Sequence, residues 1–101
     1  MELIINGGNA KSSAFEAIEA AKQHKYDLAS FKLKEADDFL VKGHNSQTSM
    51  LTKAAENAEN PNYNEEVPLI MVHAQDHIMT AIMFRDIANE FVELYKKIDL
   101  K

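Results

Sequence analysis

The residues best suited to chemistry lie close together, in the stretch V-H-A-Q-D-H-I-M-T at residues 72–80. This stretch supplies two imidazoles, a carboxylate, an amide and a hydroxyl among apolar neighbours. On a helix, His73, Asp76, His77 and Thr80 would stand at i, i+3, i+4 and i+7 and share one face. Amphipathic helices normally keep such groups away from large apolar side chains, so the stretch requires a functional explanation.

A metal site within one helix is the first of three chemistries that fit these residues. His73 and His77, four residues apart, could share an ion, but such a pair alone is a weak signal. The zincin pattern needs a glutamate directly after the first histidine, where Ala74 stands. A di-metal carboxylate bundle needs Glu-x-x-His on two helices, and the sequence lacks that pattern.

Nucleophilic catalysis by histidine is the second chemistry that fits these residues. A neutral imidazole with an ordinary pKa of about 6.5 is a competent nucleophile near neutral pH. A phosphoryl group on it would need donors nearby, which Gln75, His77 or Thr80 could provide, while Asp76 could orient an imidazole or bind a cation. The third possibility is a polar core layer of hydrogen-bonded histidines that only fixes the register of the helices.

Composition restricts the class of protein. A chain of 101 residues with 46% hydrophobic residues is one globular domain. The net charge of −5 disfavours binding to nucleic acid or anionic membranes. The absence of cysteine excludes disulfides and thiolate metal sites. No segment resembles a transmembrane span or a signal peptide, so we expect no membrane insertion and a cytoplasmic location.

Three long helices must position the chemical residues. Few glycines and prolines interrupt a composition rich in helix formers, which predicts helices over residues 2–23, from Asp27 as N-cap to about residue 58, and over residues 67–100. The N-P-N-Y-N sequence predicts a loop within residues 57–66, and Pro68 suits the first turn of the third helix.

Apolar and small residues recur every three or four positions in the first two helices, which indicates antiparallel bundle packing. The seams are Leu3, Gly7, Ala10, Ala14, Ala17 and Ala21 in the first helix, and Ala29, Leu33, Ala36, Leu40, Gly43, Gln47, Met50 and Ala54 in the second. Each glycine in a helix costs about 1 kcal/mol relative to alanine, so Gly7 and Gly8 indicate close packing, unless the chain before Gly8 frays.

The third helix is apolar on nearly every side. Its predicted seam is Leu69, His73, Asp76, Thr80, Met83, Ile87, Phe91, Leu94 and Ile98, and further apolar residues cover its other sides. A helix of this kind needs more than the two neighbours that a three-helix bundle provides. We therefore predict that chains associate around the third helix.

Taken as a whole, the chain resembles the lactose/cellobiose family of enzyme IIA proteins of the bacterial sugar phosphotransferase system. The pattern V-H-A-Q-D-H-[IL]-M-T at residues 72–80 carries the resemblance, with support from I-I-N-G-G-N-A-K-S at residues 4–12 and H-x-x-Q-T at residues 44–48. The resemblance covers essentially the full length, residues 1–101, as a single domain.

The resemblance implies an all-α fold, an antiparallel three-helix bundle that assembles as a homotrimer of nine helices. It implies that His73 accepts a phosphoryl group, through Nε2, from the histidine-containing phosphocarrier protein and passes it to a cysteine of the matching IIB component. It also implies that Asp76 meets its two symmetry mates on the trimer axis and binds a divalent cation, most often Mg²⁺. Four residues are candidates for support around the acceptor: Gln47, Gln75, His77 and Thr80.

These implications agree with the residues themselves. Three clustered carboxylates repel one another unless a cation or protonation relieves them, and carboxylate oxygens suit magnesium. We expect a cytoplasmic phosphocarrier for the uptake and phosphorylation of a β-linked disaccharide such as lactose, cellobiose or chitobiose. The alternatives are a structural bundle without enzymatic activity and a metal-sensing bundle. His24 and His44 lie outside the motif, and we interpret them as structural or solvated.

Overall fold

Three α-helices make up the computed structural model, which describes residues 2–58 and 69–100. α1 spans Glu2–Lys22, α2 spans Tyr26–Ala58 and α3 spans Leu69–Asp99. These bounds agree closely with the predicted helices, and the described residues contain no strand, so the all-α prediction is confirmed. The predicted loop at 57–66 lies outside the described residues except for its first two positions, which end α2, and Pro68 also lies outside them.

A tight turn between α1 and α2 reverses the chain. His24 adopts the left-handed conformation with a φ of 63°. Its N–H donates to the Ala21 carbonyl at 3.0 Å, and the N–H of Lys25 donates to the Ala20 carbonyl at 2.9 Å. This pair of bonds is the Schellman motif, which satisfies carbonyls at the end of a helix. The turn therefore makes α2 antiparallel to α1.

The start of α2 corrects one prediction. The helix begins at Tyr26, so Asp27 lies in its first turn and is not the N-cap. The carboxylate still stands near the positive end of the helix dipole, where negative charge is favourable.

Small side chains line the contact between the helices. The predicted α1 seam is buried along its whole length, and Gly7 is buried within it, so its packing role is confirmed. Of the predicted α2 seam, Ala29, Leu33 and Ala36 are buried as well. Small residues at these positions let the helix backbones approach closely, which gives a slender bundle of 65 × 19 × 18 Å.

The face that α3 buries inside the chain differs from the predicted seam. It consists of Ala74, Ile78, Ala81, Ala88 and Val92. The predicted seam lies on the opposite side and is exposed in the single chain. We call the exposed side the α3 outer face, defined by Leu69, Val72, Asp76, Met79, Met83, Ile87, Phe91, Leu94 and Ile98; its apolar members are 44–84% exposed.

A polar cluster ties the end of α3 to the α1–α2 turn. His24 Nδ1 lies 2.6 Å from Asp99 Oδ2, and the Tyr26 hydroxyl donates to the same carboxylate. The hydrogen bond from Tyr26, followed by the contact with His24, lowers the pKa of Asp99. Desolvation, together with the hydrogen bond to Asp99, raises the pKa of Tyr26 to about 12. These contacts agree with a structural role for His24.

The bundle thus runs up, down and up, with α1 and α3 parallel. Among the three helices that the structure describes, none combines the length and apolarity needed to span a bilayer.

Candidate functional site

His73 and Asp76 lie on the side of α3 that the single chain leaves open. Both side chains are exposed. Because a helix turns by about 100° per residue, they are separated by about 60° around the axis. Asp76 stands near the middle of the α3 outer face, and His73 stands at its edge, towards α1. His73 is therefore accessible, with one flank against its own bundle.

That flank is formed by His77. The two imidazole rings are stacked, with ring centroids 6.1 Å apart and planes inclined by 26°. This separation falls within the range of favourable aromatic pairs. His77 is half-buried, because its other side faces α1. The structure therefore brings together the two histidines that the motif supplies.

The backbone of α1 reaches the ring of His77 at Gly7. A Cβ atom added to Gly7 would lie 2.8 Å from Cδ2 and 3.4 Å from Nε2 of His77. On another side of α3, a Cβ atom added to Gly43 of α2 would lie 2.5 Å from Cδ1 of the fully buried Ile78. Both neighbouring helices thus make glycine contacts with α3 at positions 77 and 78. These contacts fix the axial position of residues 72–80 relative to α1 and α2.

The Thr80 hydroxyl makes its hydrogen bond within its own helix. It donates to the His77 carbonyl at 2.9 Å, and the side chain is exposed. Threonine commonly makes such a bond to a preceding turn. A supporting role for Thr80 at His73 stays a prediction.

Gln47 and Gln75 form a pair between α2 and α3. The Gln47 amide donates to the Gln75 side-chain oxygen, and both residues are half-buried. Two positions along a helix correspond to about 200° of rotation, so Gln75 faces away from His73 in the same chain. The pair holds α2 against α3 at the level of the motif. Any support for His73 from these glutamines, which stays a prediction, would act through the position of the helix.

The carboxylate of Asp76 stands among apolar side chains. Val72 and Met79 lie one turn away on the α3 outer face and Met83 lies two turns away; all three are more than half exposed. Within the described ranges of one chain, no three histidine or carboxylate side chains come together as metal ligands. One carboxylate would leave most of the ligand positions of a divalent cation to water or to oxygens from other chains.

A groove of about 700 Å³ runs beside the outer face, between α3 and α1. Phe15, Met83, Phe84 and Ile87 provide its apolar lining, and Lys11, Ser12, Glu16 and Thr80 line it as well. Phe15 is 55% exposed. The open apolar surface therefore extends from α3 onto α1.

The two histidines outside the motif are not part of this site. His44 is exposed on α2, and His24 lies with Asp99 at the far end of the bundle. Residues 73 and 99 are separated by about 39 Å along α3, at 1.5 Å per residue. The interpretation of His24 and His44 as structural or solvated agrees with these positions.

Sequence reasoning did not assign Gly7 to the site. The signal was present as Gly7-Gly8 in a helical stretch, which we interpreted as a packing contact. The sequence could not show that His77 is the residue that Gly7 contacts, because the axial position of α1 relative to α3 depends on the packing of the whole bundle.

Taken together, the geometry offers an accessible imidazole that is stacked on a second, half-buried imidazole. An exposed neutral imidazole can attack an electrophile presented by another protein. A bulky protein donor can also approach it, since His73 lies on the surface. The arrangement suits group transfer between proteins better than catalysis in a closed pocket.

Comparison with known proteins agrees with this description. Residues 1–96 match the family described as "PTS system, Lactose/Cellobiose specific IIA subunit". The lichenan-specific phosphotransferase enzyme IIA component of Bacillus subtilis is 43% identical over 97 residues, which cover 96% of this chain and 84% of that protein.

Solved structures show the same fold. The cellobiose-specific enzyme IIA of Bacillus anthracis has a TM-score of 0.88 and 37% identity, covering 99% of this chain and 87% of that one. The chitobiose IIA protein of Escherichia coli, solved in complex with HPr, has a TM-score of 0.80 and 32% identity, covering 96% and 89% of the two chains. This chain therefore belongs to the lactose/cellobiose-specific IIA family of the sugar phosphotransferase system and is a component of that system.

Proposed function

We propose that His73 is the phosphoryl acceptor of this chain, with the histidine-containing phosphocarrier protein as donor and a cysteine of the IIB component as the next acceptor. The observation that carries the proposal is the exposed His73 ring stacked on His77 at the edge of the α3 outer face. A IIA relative solved in complex with HPr, the histidine-containing phosphocarrier protein, supports the choice of donor.

The chemistry is two successive transfers between nucleophiles. The lone pair on Nε2 of neutral His73 attacks the phosphorus of the donor phosphohistidine, while Nδ1 keeps its proton. The donor N–P bond breaks, and its electron pair returns to the donor imidazole. The cysteine thiolate of IIB then attacks the same phosphorus and releases the His73 ring with its lone pair. The protein contributes positioning and charge stabilisation, as is usual in phosphoryl transfer.

The α3 outer face supports assembly as a homotrimer of nine helices. Eight large apolar side chains remain exposed along the whole length of one helix. Continuous apolar surfaces of this extent usually mark a protein interface. Three copies arranged around α3 would bury this face in a closed cyclic assembly, as most homo-oligomers do.

Asp76 would then face the threefold axis. Three like charges within an apolar interior are unfavourable unless a cation or protonation relieves them. Three carboxylates offer up to about six oxygen ligands, the number that Mg²⁺ prefers. A divalent cation bound there would offset most of the carboxylate charge and hold the three chains together.

The proposed pathway is the uptake and phosphorylation of a β-linked disaccharide, in the cytoplasm. Lactose-, cellobiose- and chitobiose-specific proteins among the relatives support this class of sugar.

Reconstituted phosphoryl transfer tests the assignment of His73. Wild-type chain, phosphoenolpyruvate, enzyme I and the phosphocarrier protein should give an acid-labile phosphate, which a IIB protein should then remove. His73→Gln should accept none, whereas His44→Gln, the matched control on α2, should behave as wild type. Phosphorylation of His73→Gln at the wild-type rate would show that another residue is the acceptor.

A further inference from the structure

Gly7 of α1 lies so close to His77 of α3 that no residue other than glycine would fit at position 7 without moving the ring. A Cβ atom on residue 7 would lie 2.8 Å from Cδ2 of the His77 ring and 3.6 Å from the His77 carbonyl oxygen. Apart from atoms of its own residue and its chain neighbours, a real Cβ atom essentially never has a heavy atom within 3.0 Å. The imidazole therefore occupies the space that every other residue type would fill.

The neighbouring glycine lacks this contact. A Cβ atom on Gly8 would have only the His77 Nε2 nearby, at 3.8 Å, which is an ordinary van der Waals distance. Both glycines lie within α1, where alanine is the better helix former. Helix propensity thus acts equally against both positions, but only Gly7 has a steric requirement.

The same ring supports His73. His77 is stacked on His73 with centroids 6.1 Å apart, so its imidazole is held between the α1 backbone and the proposed acceptor. Of the contacts that a methyl group on residue 7 would make, the shortest is to a side-chain ring, which can rotate. The contact to the backbone of α3 is longer. The expected response is displacement of the ring within an intact bundle.

We propose that Gly7 is a positioning residue for phosphoryl transfer, acting on His73 through the ring of His77; this inference rests on the proposed role of His73. Transfer requires the attacking nitrogen and the phosphorus to be aligned at about 3–3.5 Å, and a misplacement of about 1 Å costs up to about a hundredfold in rate. A glycine on α1 thereby controls the orientation of a nucleophile on α3.

Two single variants test the proposal. The rate of phosphoryl transfer from the phosphocarrier protein is measured for wild type, Gly7→Ala and Gly8→Ala. Gly7→Ala should be slower by about tenfold or more, with an unchanged or higher melting temperature. Gly8→Ala, which gains the same helix propensity, should transfer at the wild-type rate.

Ring spectroscopy separates positioning from a general loss of structure. In Gly7→Ala, the ring C–H resonances of His73 and His77 should shift and the nuclear Overhauser effect between the rings should weaken. The resonances of His24, at the far end of the bundle, should stay where they are. Equal spectra for Gly7→Ala and Gly8→Ala would overturn the proposal.

A double variant shows whether the effect passes through His77. In a His77→Ala background no ring remains to be displaced, so adding Gly7→Ala should change the transfer rate less than twofold. Contacting residues coupled in this way give strongly non-additive effects. If Gly7→Ala fails to fold, the double variant should fold, because the methyl group enters the released space. A full additional loss of rate or of folding in the double variant would overturn the proposal.

The same rate measurements distinguish a failure of the proposed function from a failure of the proposed role of Gly7. A wild-type chain that accepts no phosphoryl group on His73 would overturn the proposed function. A wild-type chain that accepts it, with Gly7→Ala as fast as Gly8→Ala, would overturn only the role of Gly7.

Discussion

Truncation of Met83 to alanine should strongly weaken the association of chains, because the loss of apolar contact is repeated in every chain. Met83 lies near the middle of the α3 outer face, two turns after Asp76, and is 63% exposed in the single chain. In the proposed homotrimer, this exposed fraction becomes buried against the neighbouring chains. Met83→Ala removes most of the apolar surface that the residue contributes.

The magnitude follows from the exposed fraction. Full burial of a methionine side chain is worth about 1.5–3 kcal/mol, so burying the exposed part is worth about 1–2 kcal/mol per chain. Three chains lose it together, which gives about 3–6 kcal/mol per trimer. Since about 1.4 kcal/mol corresponds to a factor of ten, the trimer dissociation constant should rise by about 10²–10⁴-fold.

Phe31→Ala on α2 is the matched control. Phe31 is 61% exposed, almost the same as Met83. Its side of α2 is mostly polar, with the exposed residues Asp27, Lys34 and Asp38 around it together with the apolar Leu28. A side chain on this polar face should stay solvated in the trimer. Its truncation should therefore leave the dissociation constant unchanged.

Sedimentation equilibrium over a dilution series provides the measurement. Wild type and Phe31→Ala should remain trimeric to the same low concentration, and Met83→Ala should dissociate at a much higher one. An equal effect of the two variants, or none from Met83→Ala, would refute the α3 outer face as the interface.

Two further predictions concern carboxylates. Asp76→Leu should abolish Mg²⁺ binding measured by calorimetry while preserving the trimer and raising its melting temperature, because apolar burial replaces charge repulsion; retained Mg²⁺ binding would place the cation elsewhere. Asp99 has a lowered pKa, so its contribution to stability is present above the unfolded-state value of 3.8 and is lost as the pH falls through the lower folded value. Urea unfolding should therefore show Asp99→Asn to be less stable than wild type at pH 6, with the difference vanishing towards pH 2; a constant difference would refute the linkage.

Much of the fold could be predicted because the periodic pattern is strong. The seams of α1 and α2 contain small residues at regular spacing, and only one face of each helix could pack closely. The helix bounds followed from the punctuation around residues 24–26 and 57–68. The N-cap at Asp27 was wrong because α1 ends in a Schellman turn whose left-handed residue is His24, and no glycine signals such a turn there.

The orientation of α3 could not be predicted to the same degree. Apolar residues cover both the Ala74–Ile78 side and the Met83–Phe91 side, so the pattern did not show which side packs inside one chain. The structure turns the side with Ala74, Ala81 and Ala88 inward, together with Ile78 and Val92, and leaves the Met83–Phe91 side exposed. Small residues match the small seams of α1 and α2, and that complementarity appears only when all three helices are considered together.

The candidate site could likewise be predicted only in part from the sequence. His73, Asp76 and His77 could be selected from the motif, because their spacing places them on one side of a helix. The contact of His77 with Gly7 depends on the relative height of two helices, and the pairing of Gln47 with Gln75 depends on the third. Local spacing carries no information on either quantity.

Locating the phosphoryl group on the chain tests the role of His73 most directly. Wild-type chain should be phosphorylated by the complete donor system, digested at alkaline pH to preserve phosphohistidine, and mapped by mass spectrometry with fragmentation. The assignment of His73 as the acceptor predicts one phosphoryl group per chain, on that residue. A phosphoryl group on His77, His44 or His24 instead, or no phosphorylation by an active donor, would contradict it.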